Sequence, residues 1–434
     1  MARRDARRSL RRPRGGAAEH QVPCRRRLDL VPLERFFQDF YRPGLLAEIF
    51  GGERPAPEVE FAKQQPPTVR IVAPTQGGPV EGRQVVLQVE ATDQGGGVKG
   101  PWLLHNGARV LAPGQAERAG KVVKRSFAVT LVPGENKLEV YAACEDGSWE
   151  SEPARIAFRL EKPLEKSDLH ILAVGVSKYG SDPLSLKFAA PDARELADLF
   201  RRRGPTLYNR VNAVTLLDEQ ATLAGIRKAF EKLKAEAKPQ DTLLVFFAGH
   251  GTMVGQRYFF IPAEFRQTAG KTLADDVKAQ GFAGDELADL MGATPCLKRI
   301  LVLDTCASGG AVVVATTARN PFAFRGAVER LSRAQGVFTI AAAAATEEAQ
   351  EVKELGHGIL TYTLLAGLKA VKSGPLESEG LKPNNPEQVA EVLEWFGFAS
   401  GQVPRLMKKY FGKEQDVQSS GQGASFPVLP VRER

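Results

Sequence analysis

From Leu169 onward, short and nearly continuous apolar runs alternate with longer stretches in which apolar residues recur every three or four positions. The runs have the length of buried strands, and the longer stretches have the period of amphipathic helices. This alternation predicts an α/β fold with a mostly parallel sheet flanked by helices on both faces. The predicted strands are HILAVGV, NAVTLL, TLLVFFA, RILVLD and VFTIAAAAA, and the predicted helices are PDARELADLFRRR, TLAGIRKAFEKLKAEA, DELADLM and GILTYTLLAGLKAV.

Two of these strands end in chemically reactive residues. TLLVFFAGHG delivers His250, followed by Gly251, and RILVLDTCASGG delivers Cys306. The carboxyl ends of parallel strands meet at one edge of a sheet, where ligands bind. Each residue by itself is more often structural, but a thiol beside an imidazole is the smallest arrangement that makes a cysteine nucleophile. Their joint placement therefore predicts a catalytic pair.

A different pattern occupies residues 66–160, where apolar and polar residues alternate between Gly-rich turns. This pattern predicts an all-β sandwich, which we interpret as an immunoglobulin-like domain that positions substrate or binds a partner protein. Cys144 in this domain is predicted to be a buried, inert thiol. Residues 28–65 are predicted to be a short helical segment and linker, and residues 167–430 the catalytic domain.

The formal net charge of +8 comes from one segment of the chain. Of 59 basic and 51 acidic residues, residues 1–27 hold ten arginines against Asp5 and Glu19, which leaves 49 of each sign. Such an Arg-rich segment buries little apolar surface, so we predict a disordered tail. Because the remainder is electrically balanced, nucleic acid is not an expected partner, and binding through the tail is the weaker alternative.

Membrane and metal partners are not expected either. No run approaches the roughly 18 apolar residues of a membrane span, and no apolar segment of a secretory signal follows the arginines. The four cysteines lack disulfide-like or CxxC spacing, which favours a reducing compartment and a cytoplasmic location. With no HExxH or paired-cysteine pattern, the prediction for metal is none.

Four motifs together carry a family resemblance over residues 169–430. AGHG, YFFIPAE, LDTCASGG and VGVSKYGSDPLSLKFAAPDARELADLF resemble the caspase-like cysteine peptidases of clan CD, family C14. Asp304 stands where caspases carry Gln, and in this respect the chain is similar to bacterial metacaspases. The resemblance implies an oxyanion hole from the amides of Gly251 and Cys306, and a substrate cleft that includes Ala345 and Thr346.

The resemblance also implies cleavage after Arg or Lys, with Asp304 and Asp192 as pocket carboxylates. Residues i and i+2 of a strand project to the same side, so Asp304 is expected to share a face with Cys306. An anion there raises the pKa of the thiol, a cost that binding a substrate cation would offset. For Asp192 the alternative is a charge that stabilises the start of a helix.

Residues 311–336 are a candidate processing loop. They contain Arg319, Arg325, Arg330 and Arg333 with one acid, Glu329, and a basic loop beside an acidic pocket suggests self-cleavage. The alternative is a solvated helix, because AVERLSRA has helical spacing.

No cofactor is predicted, and calcium activation is left open. The acids in the matching region are Glu264, Asp285 and Glu286, with Gly284 where relatives carry a further Asp, and these fall short of the six to eight oxygens of a calcium site. For His357, which precedes a predicted helix, we expect a cap or solvent role.

Two classes of function follow. The first is a cysteine endopeptidase acting on protein or peptide substrates with a basic P1 residue. The second is a catalytically silent, caspase-like interaction scaffold. The intact set of His250, Cys306 and Asp304 favours the first.

Overall fold

The computed structural model describes residues 21–23, 30–32, 50–52, 65–111, 116–147, 149–163, 166–180, 184–255, 257–306, 321–343, 351–412, 416–421 and 423–432. Its first two strands, β1 (Gln21–Pro23) and β2 (Leu30–Pro32), pair antiparallel with Val22 opposite Val31. Most of residues 1–64 lie outside the described ranges, so a disordered tail over residues 1–27 and a helical segment and linker over 28–65 stay predictions.

Two sheets with a common hydrophobic core follow. One has the order β4-β11-β10-β6-β7 and the other β3-β5-β9-β8. Side chains of both sheets, such as Phe127 and Leu138, are buried in one cluster. The strands are β3 (Thr68–Ala73), β4 (Gly78–Val80), β5 (Gln84–Thr92), β6 (Lys99–His105), β7 (Ala108–Val110), β8 (Glu117–Ala119), β9 (Val122–Thr130), β10 (Gly134–Ala143) and β11 (Ala154–Leu160). Cys144 is fully buried, as its apolar surroundings predicted.

Twelve further strands follow in the described part: β15 pairs with β14 and β16, β19 pairs with β20, and β21 pairs with β23. The other strands belong to a larger sheet with the order β13-β12-β14-β17-β18-β22. Its first five strands are parallel, and β22 is antiparallel to β18. β22 therefore pairs along the edge of the last parallel strand, an edge that the sequence pattern left open. The strands are β12 (Leu169–Gly175), β13 (Val211–Leu217), β14 (Thr242–Val254), β15 (Arg257–Phe260), β16 (Phe282–Ala283), β17 (Lys298–Cys306), β18 (Phe338–Ala343), β19 (Glu351–Val352), β20 (His357–Gly358), β21 (Val389–Glu391), β22 (Asp416–Ser420) and β23 (Pro427–Pro430).

Helices cover both faces of this sheet. Alternate residues of β12 belong to different cores: Ile171 and Ala173 face one, and Leu172 and Val174 face the other. This double burial explains why the strands read as continuous apolar runs. No helix in the described part is long and apolar enough to cross a membrane. The helices are α1 (Ala189–Arg203), α2 (Leu223–Glu236), α3 (Leu273–Gln280), α4 (Gly284–Ala293), α5 (Pro321–Gln335), α6 (Ile359–Gly367) and α7 (Val392–Phe411).

The amino-terminal sheets contact the larger sheet at the amino-terminal ends of its parallel strands. Gly336, just before β18, adopts a φ of +62° and lies against the turn between β6 and β7, where a Cβ atom would come within 1.8 Å of the Gly107 carbonyl oxygen. His250 and Cys306 close the parallel ladder at the opposite edge. This contact gives no support to the expectation that the sandwich positions substrate.

Arg299 connects the two parts. Its guanidinium is buried and donates to the carbonyl oxygens of Gln335 (2.9 Å), Thr294 (2.9 Å), Gly292 (3.3 Å) and, in the amino-terminal sheets, Arg109 (3.2 Å). Three of these oxygens lie at the carboxyl ends of α4 and α5, where the helix dipole favours a cation, and the fourth lies in β7. Burial lowers the pKa of Arg299 to about 10, still above neutrality.

We expect Arg299→Met to lower the free energy of unfolding by roughly 3 kcal/mol, because several buried carbonyls lose their donor. Urea unfolding followed by circular dichroism measures this. The matched control is Arg405→Met, since Arg405 is exposed, donates to Gln402 on α7 and pairs with exposed Glu379 at 3.8 Å; its effect should stay within about 0.5 kcal/mol. Equal effects of the two substitutions would contradict the role given to Arg299.

Candidate catalytic site

The site lies where β14 and β17 end their parallel pairing. Their register runs from Thr242 opposite Lys298 to His250 opposite Cys306. Adjacent strands in a sheet are about 4.8 Å apart, so this register places the two backbones at neighbouring positions. The two residues that the sequence singled out are thus brought together by the backbone ladder itself.

The His250 ring is held in one orientation. Its Nε2 lies 2.8 Å from the carbonyl oxygen of Leu184, and the Tyr179 ring packs against it with the centroids 5.1 Å apart. Its backbone N–H donates to the Tyr179 hydroxyl at 2.8 Å. Because a carbonyl only accepts, Nε2 carries the proton and Nδ1 carries the lone pair in the neutral ring.

Burial makes that neutral ring the stable form. His250 is only 4% exposed, and Nδ1 has no hydrogen-bond partner among the described residues. Burial lowers the pKa of His250, with the Leu184 carbonyl acting in the opposite direction. At neutral pH the site therefore offers an imidazole that can accept a proton at Nδ1.

The glycines on either side of His250 are required by close packing. Gly249 has a φ of +147°, and a Cβ there would lie 2.8 Å from the Tyr179 hydroxyl oxygen. A Cβ on Gly251 would come within 2.7 Å of the Tyr258 ring and 3.0 Å of Thr305 Oγ1. Glycine at 251 thus has a packing reason, besides any approach to a substrate.

The two predicted pocket carboxylates converge on one glycine. Asp304 precedes Cys306 by two residues and accepts from the Thr361 backbone N–H at 3.0 Å and from its hydroxyl. Asp192, from the first turn of α1, accepts from the Gly358 backbone N–H at 2.9 Å. A Cβ on Gly358 would lie 2.7 Å from Asp304 Oδ2 and 3.3 Å from Asp192 Oδ2. Two acids far apart in sequence therefore flank one point.

His357 belongs to this acidic cluster. Its Nδ1 lies 2.5 Å from Asp192 Oδ1 and its Nε2 lies 3.6 Å from Glu195 Oε2. The expectation of a cap or solvent role is wrong, because the β19–β20 pairing turns the ring onto α1. The sequence feature that could have pointed to His357 is its His-Gly dipeptide, which also occurs at His250.

The charges of the pair are coupled. Burial raises the pKa of Asp192 to about 7, with Asp304 adding to the effect and the bond to His357 opposing it. Burial disfavours the charged form of His357, but its bond to Asp192 and the nearby carboxylates outweigh this and raise its pKa. Both shifts favour binding of a proton by this pair near neutrality. Asp192 stands in the first turn of a helix, but its side chain is committed to this cluster.

The remaining predicted residues are placed as follows. Ala345, Thr346 and Arg319 lie outside the described residues. Arg325, Arg330 and Arg333 belong to α5, whose Phe324, Val328 and Leu331 are buried. Most of the candidate processing segment that is described is therefore helical, as the alternative interpretation had it.

The acids considered for calcium have separate partners. Glu264 accepts from the Leu223 backbone N–H at 2.8 Å, Asp285 pairs with Arg257 at 2.8 Å, and Glu286 pairs with Arg227 at 2.6 Å.

One group of ligand-type side chains within the described ranges is compact enough for a metal ion: Asp168, His170 and Asp241. Its carboxylates already accept from Asn209, Arg210 and backbone N–H groups, so the group ties together the starts of β12 and β14.

The pKa values of the two site histidines should be shifted in opposite directions from the ordinary value. We expect His250 to titrate below the ordinary value of about 6.5 with its proton on Nε2, and His357 to titrate above it. Ring ¹⁵N chemical shifts, recorded against pH and assigned by His→Gln substitution at each position, measure both. A His250 midpoint at or above 6.5 would contradict the burial argument.

Comparisons with known proteins agree with this fold. The model of the Peptidase_C14 family, described as a caspase domain, matches residues 169–405. Among solved structures, protein GSU0716 from Geobacter sulfurreducens is 14% identical, with 59% of this chain and 94% of that chain covered and a TM-score of 0.35. The tandem Ig repeats of Dlar are 16% identical, with 26% and 60% covered and a TM-score of 0.15. TM-scores this low support no further conclusion, and no curated protein matches. Because the family model spans more than half of the 434 residues, this chain belongs to the Peptidase_C14 caspase-domain family.

Proposed function

We propose that this protein is a cysteine endopeptidase in which Cys306 is the nucleophile and His250 the general base. The observation that carries the proposal is the register of β14 and β17, which sets Cys306 directly opposite a histidine held by the Leu184 carbonyl. A buried, neutral imidazole with its lone pair on Nδ1 is the form that a proton acceptor needs.

The chemistry proceeds in two stages. His250 Nδ1 takes the thiol proton, and the thiolate adds to the scissile carbonyl carbon. The resulting oxyanion accepts hydrogen bonds from the amides of Gly251 and Cys306. The C–N bond then breaks, and the amine leaves with the proton from His250. Water, deprotonated by the same imidazole, hydrolyses the thioester and restores the thiol. The Leu184 carbonyl stabilises the imidazolium in both stages.

Basic P1 specificity follows from Asp192 and Asp304, which flank Gly358 near the end of β17. Two carboxylates beside one imidazole leave the cluster with a net negative charge. A guanidinium or ammonium group complements that charge, whereas a P1 aspartate would meet repulsion. Protein or peptide substrates with Arg or Lys at P1 are thus the expected class.

Of the four arginines considered as self-processing sites, we retain one. Arg325, Arg330 and Arg333 lie in α5, and a peptide bond inside a packed helix is a poor protease substrate. Arg319, outside the described residues, is the arginine that we retain.

For the amino-terminal region we propose an immunoglobulin-like domain over residues 66–160, joined to a catalytic domain over 167–430. Its contact with Arg299 lies at the edge of the sheet away from Cys306. We therefore assign it to recruiting a partner protein and not to lining the substrate cleft. Buried thiols at Cys144 and Cys296 fit a reducing compartment such as the cytoplasm.

Substituting the catalytic pair should abolish cleavage. We expect Cys306→Ala and His250→Ala each to reduce kcat/KM on fluorogenic peptides with P1 Arg by at least about 1,000-fold. Cys296→Ala is the matched control and should change the rate less than about twofold, because burial raises the pKa of that thiol to about 12 and makes it inert. Wild-type protein that cleaves no peptide would favour the scaffold alternative.

Selectivity should depend on the acidic pair. A peptide with P1 Arg should be cleaved at least about tenfold faster than one with citrulline, its neutral isostere, because only the guanidinium is charged. Asp304→Asn should reduce this ratio and leave cleavage of the citrulline peptide less affected. Equal rates for Arg and Asp at P1 would contradict the acidic pocket.

A further inference from the structure

Three side chains form a line from the interior to the surface at the acidic pocket. Asp192 is 2% exposed, His357 is 14% exposed and Glu195 is 44% exposed. The imidazole contacts Asp192 through Nδ1 and Glu195 through Nε2. His357 therefore contacts the buried carboxylate of Asp192 on one side and the exposed carboxylate of Glu195 on the other.

The backbone around His357 keeps the ring on Asp192. Val352 of β19 pairs with His357 of β20, and the next residue, Gly358, donates its N–H to Asp192 Oδ2. Both oxygens of Asp192 are thus bound by consecutive residues of one segment. The same segment continues into α6, whose Thr361 binds Asp304.

The charged and titratable groups that face His357 come from three elements. α1 contributes Asp192 and Glu195, β17 contributes Asp304, and α6 contributes Tyr362, whose ring centroid is 6.5 Å away. Three carboxylates around one imidazole favour its protonated form. An imidazolium here would neutralise Asp192, whose ion-pair partner among the described residues is His357.

We propose that the His357 imidazolium is the resident cation of the P1 pocket, and that a basic P1 side chain binds Asp192 only in exchange for the proton of His357. This inference rests on the proposed function, because it assigns Asp192 to the P1 pocket. His357 is then a specificity-determining residue that does not touch the reacting atoms.

The exchange balances charge. The P1 guanidinium brings one positive charge and N–H donors to Asp192, and His357 releases one proton to water. Bound and free pockets then carry the same number of cations. By linkage, the affinity for a cationic side chain falls about tenfold for each pH unit below the titration of the pair and levels off above it. A neutral isostere shows no such dependence.

The test uses butylguanidinium, which is the Arg side chain with its Cα as a terminal methyl group, and butylurea as its neutral isostere. Binding to the Cys306→Ala protein is followed by NMR between pH 6 and 8. We expect the Kd of butylguanidinium to rise about tenfold per unit as the pH falls below the His357 midpoint, with His357 losing its proton on binding. Butylurea should bind weakly at every pH.

A further variant, also in the Cys306→Ala background, separates this role from a merely structural one. His357→Lys places a permanent cation on Asp192, so binding should weaken at least about tenfold at every pH. His20→Ala, a substitution in the amino-terminal segment, is the control and should keep the original pH dependence.

Three results would overturn the inference: a Kd independent of pH with His357 present, a His357 ring that keeps its proton when butylguanidinium binds, or no preference for butylguanidinium over butylurea. Because the Cys306→Ala protein is used, these results do not depend on catalysis. Cleavage after Arg without proton release would reject only the exchange. Exchange without cleavage of any peptide would reject only the peptidase.

Discussion

The parallel ladder between β14 and β17 is the constraint on which the candidate site depends. It makes His250 and Cys306 the last pair of the register, so their proximity follows from backbone hydrogen bonds and needs no loop to arrange it. Packing on both faces opposes a change of register, since a slip by one residue would move each side chain into the other core, against neighbours of a different shape. The pair is therefore supported by the two largest cores of the molecule.

The two histidines of the site have surroundings that shift their pKa values in opposite directions. His250 lies against a carbonyl oxygen and the Tyr179 ring in a buried setting, which favours the neutral imidazole. His357 lies against carboxylates, which favour the cation. The same type of side chain is thus favoured as neutral in one place and as protonated in the other, and the difference arises from neighbours that are distant in sequence.

The two ends of the sheet also have different roles. At the amino-terminal ends of the parallel strands, the Arg299 guanidinium donates hydrogen bonds to carbonyl oxygens at two helix ends and in the amino-terminal sheets. Such a contact costs the burial of a charge, which its hydrogen bonds offset. At the other edge the strands deliver Asp304, His250 and Cys306. The amino-terminal domain consequently contacts the end of the sheet that lies opposite the candidate catalytic residues.

The sequence by itself determined the features that depend on local pattern. Continuous apolar runs identified the strands, and the residues at their ends identified His250, Cys306 and Asp304, because strand direction places such residues at one edge. Only the tertiary structure decided contacts between segments that packing brings together. The Leu184 carbonyl sets the tautomer of His250, His357 pairs with Asp192, and β22 takes the edge of β18. No periodicity encodes these contacts, since each depends on how α1, α6 and the last strand pack against a sheet whose own pattern is local.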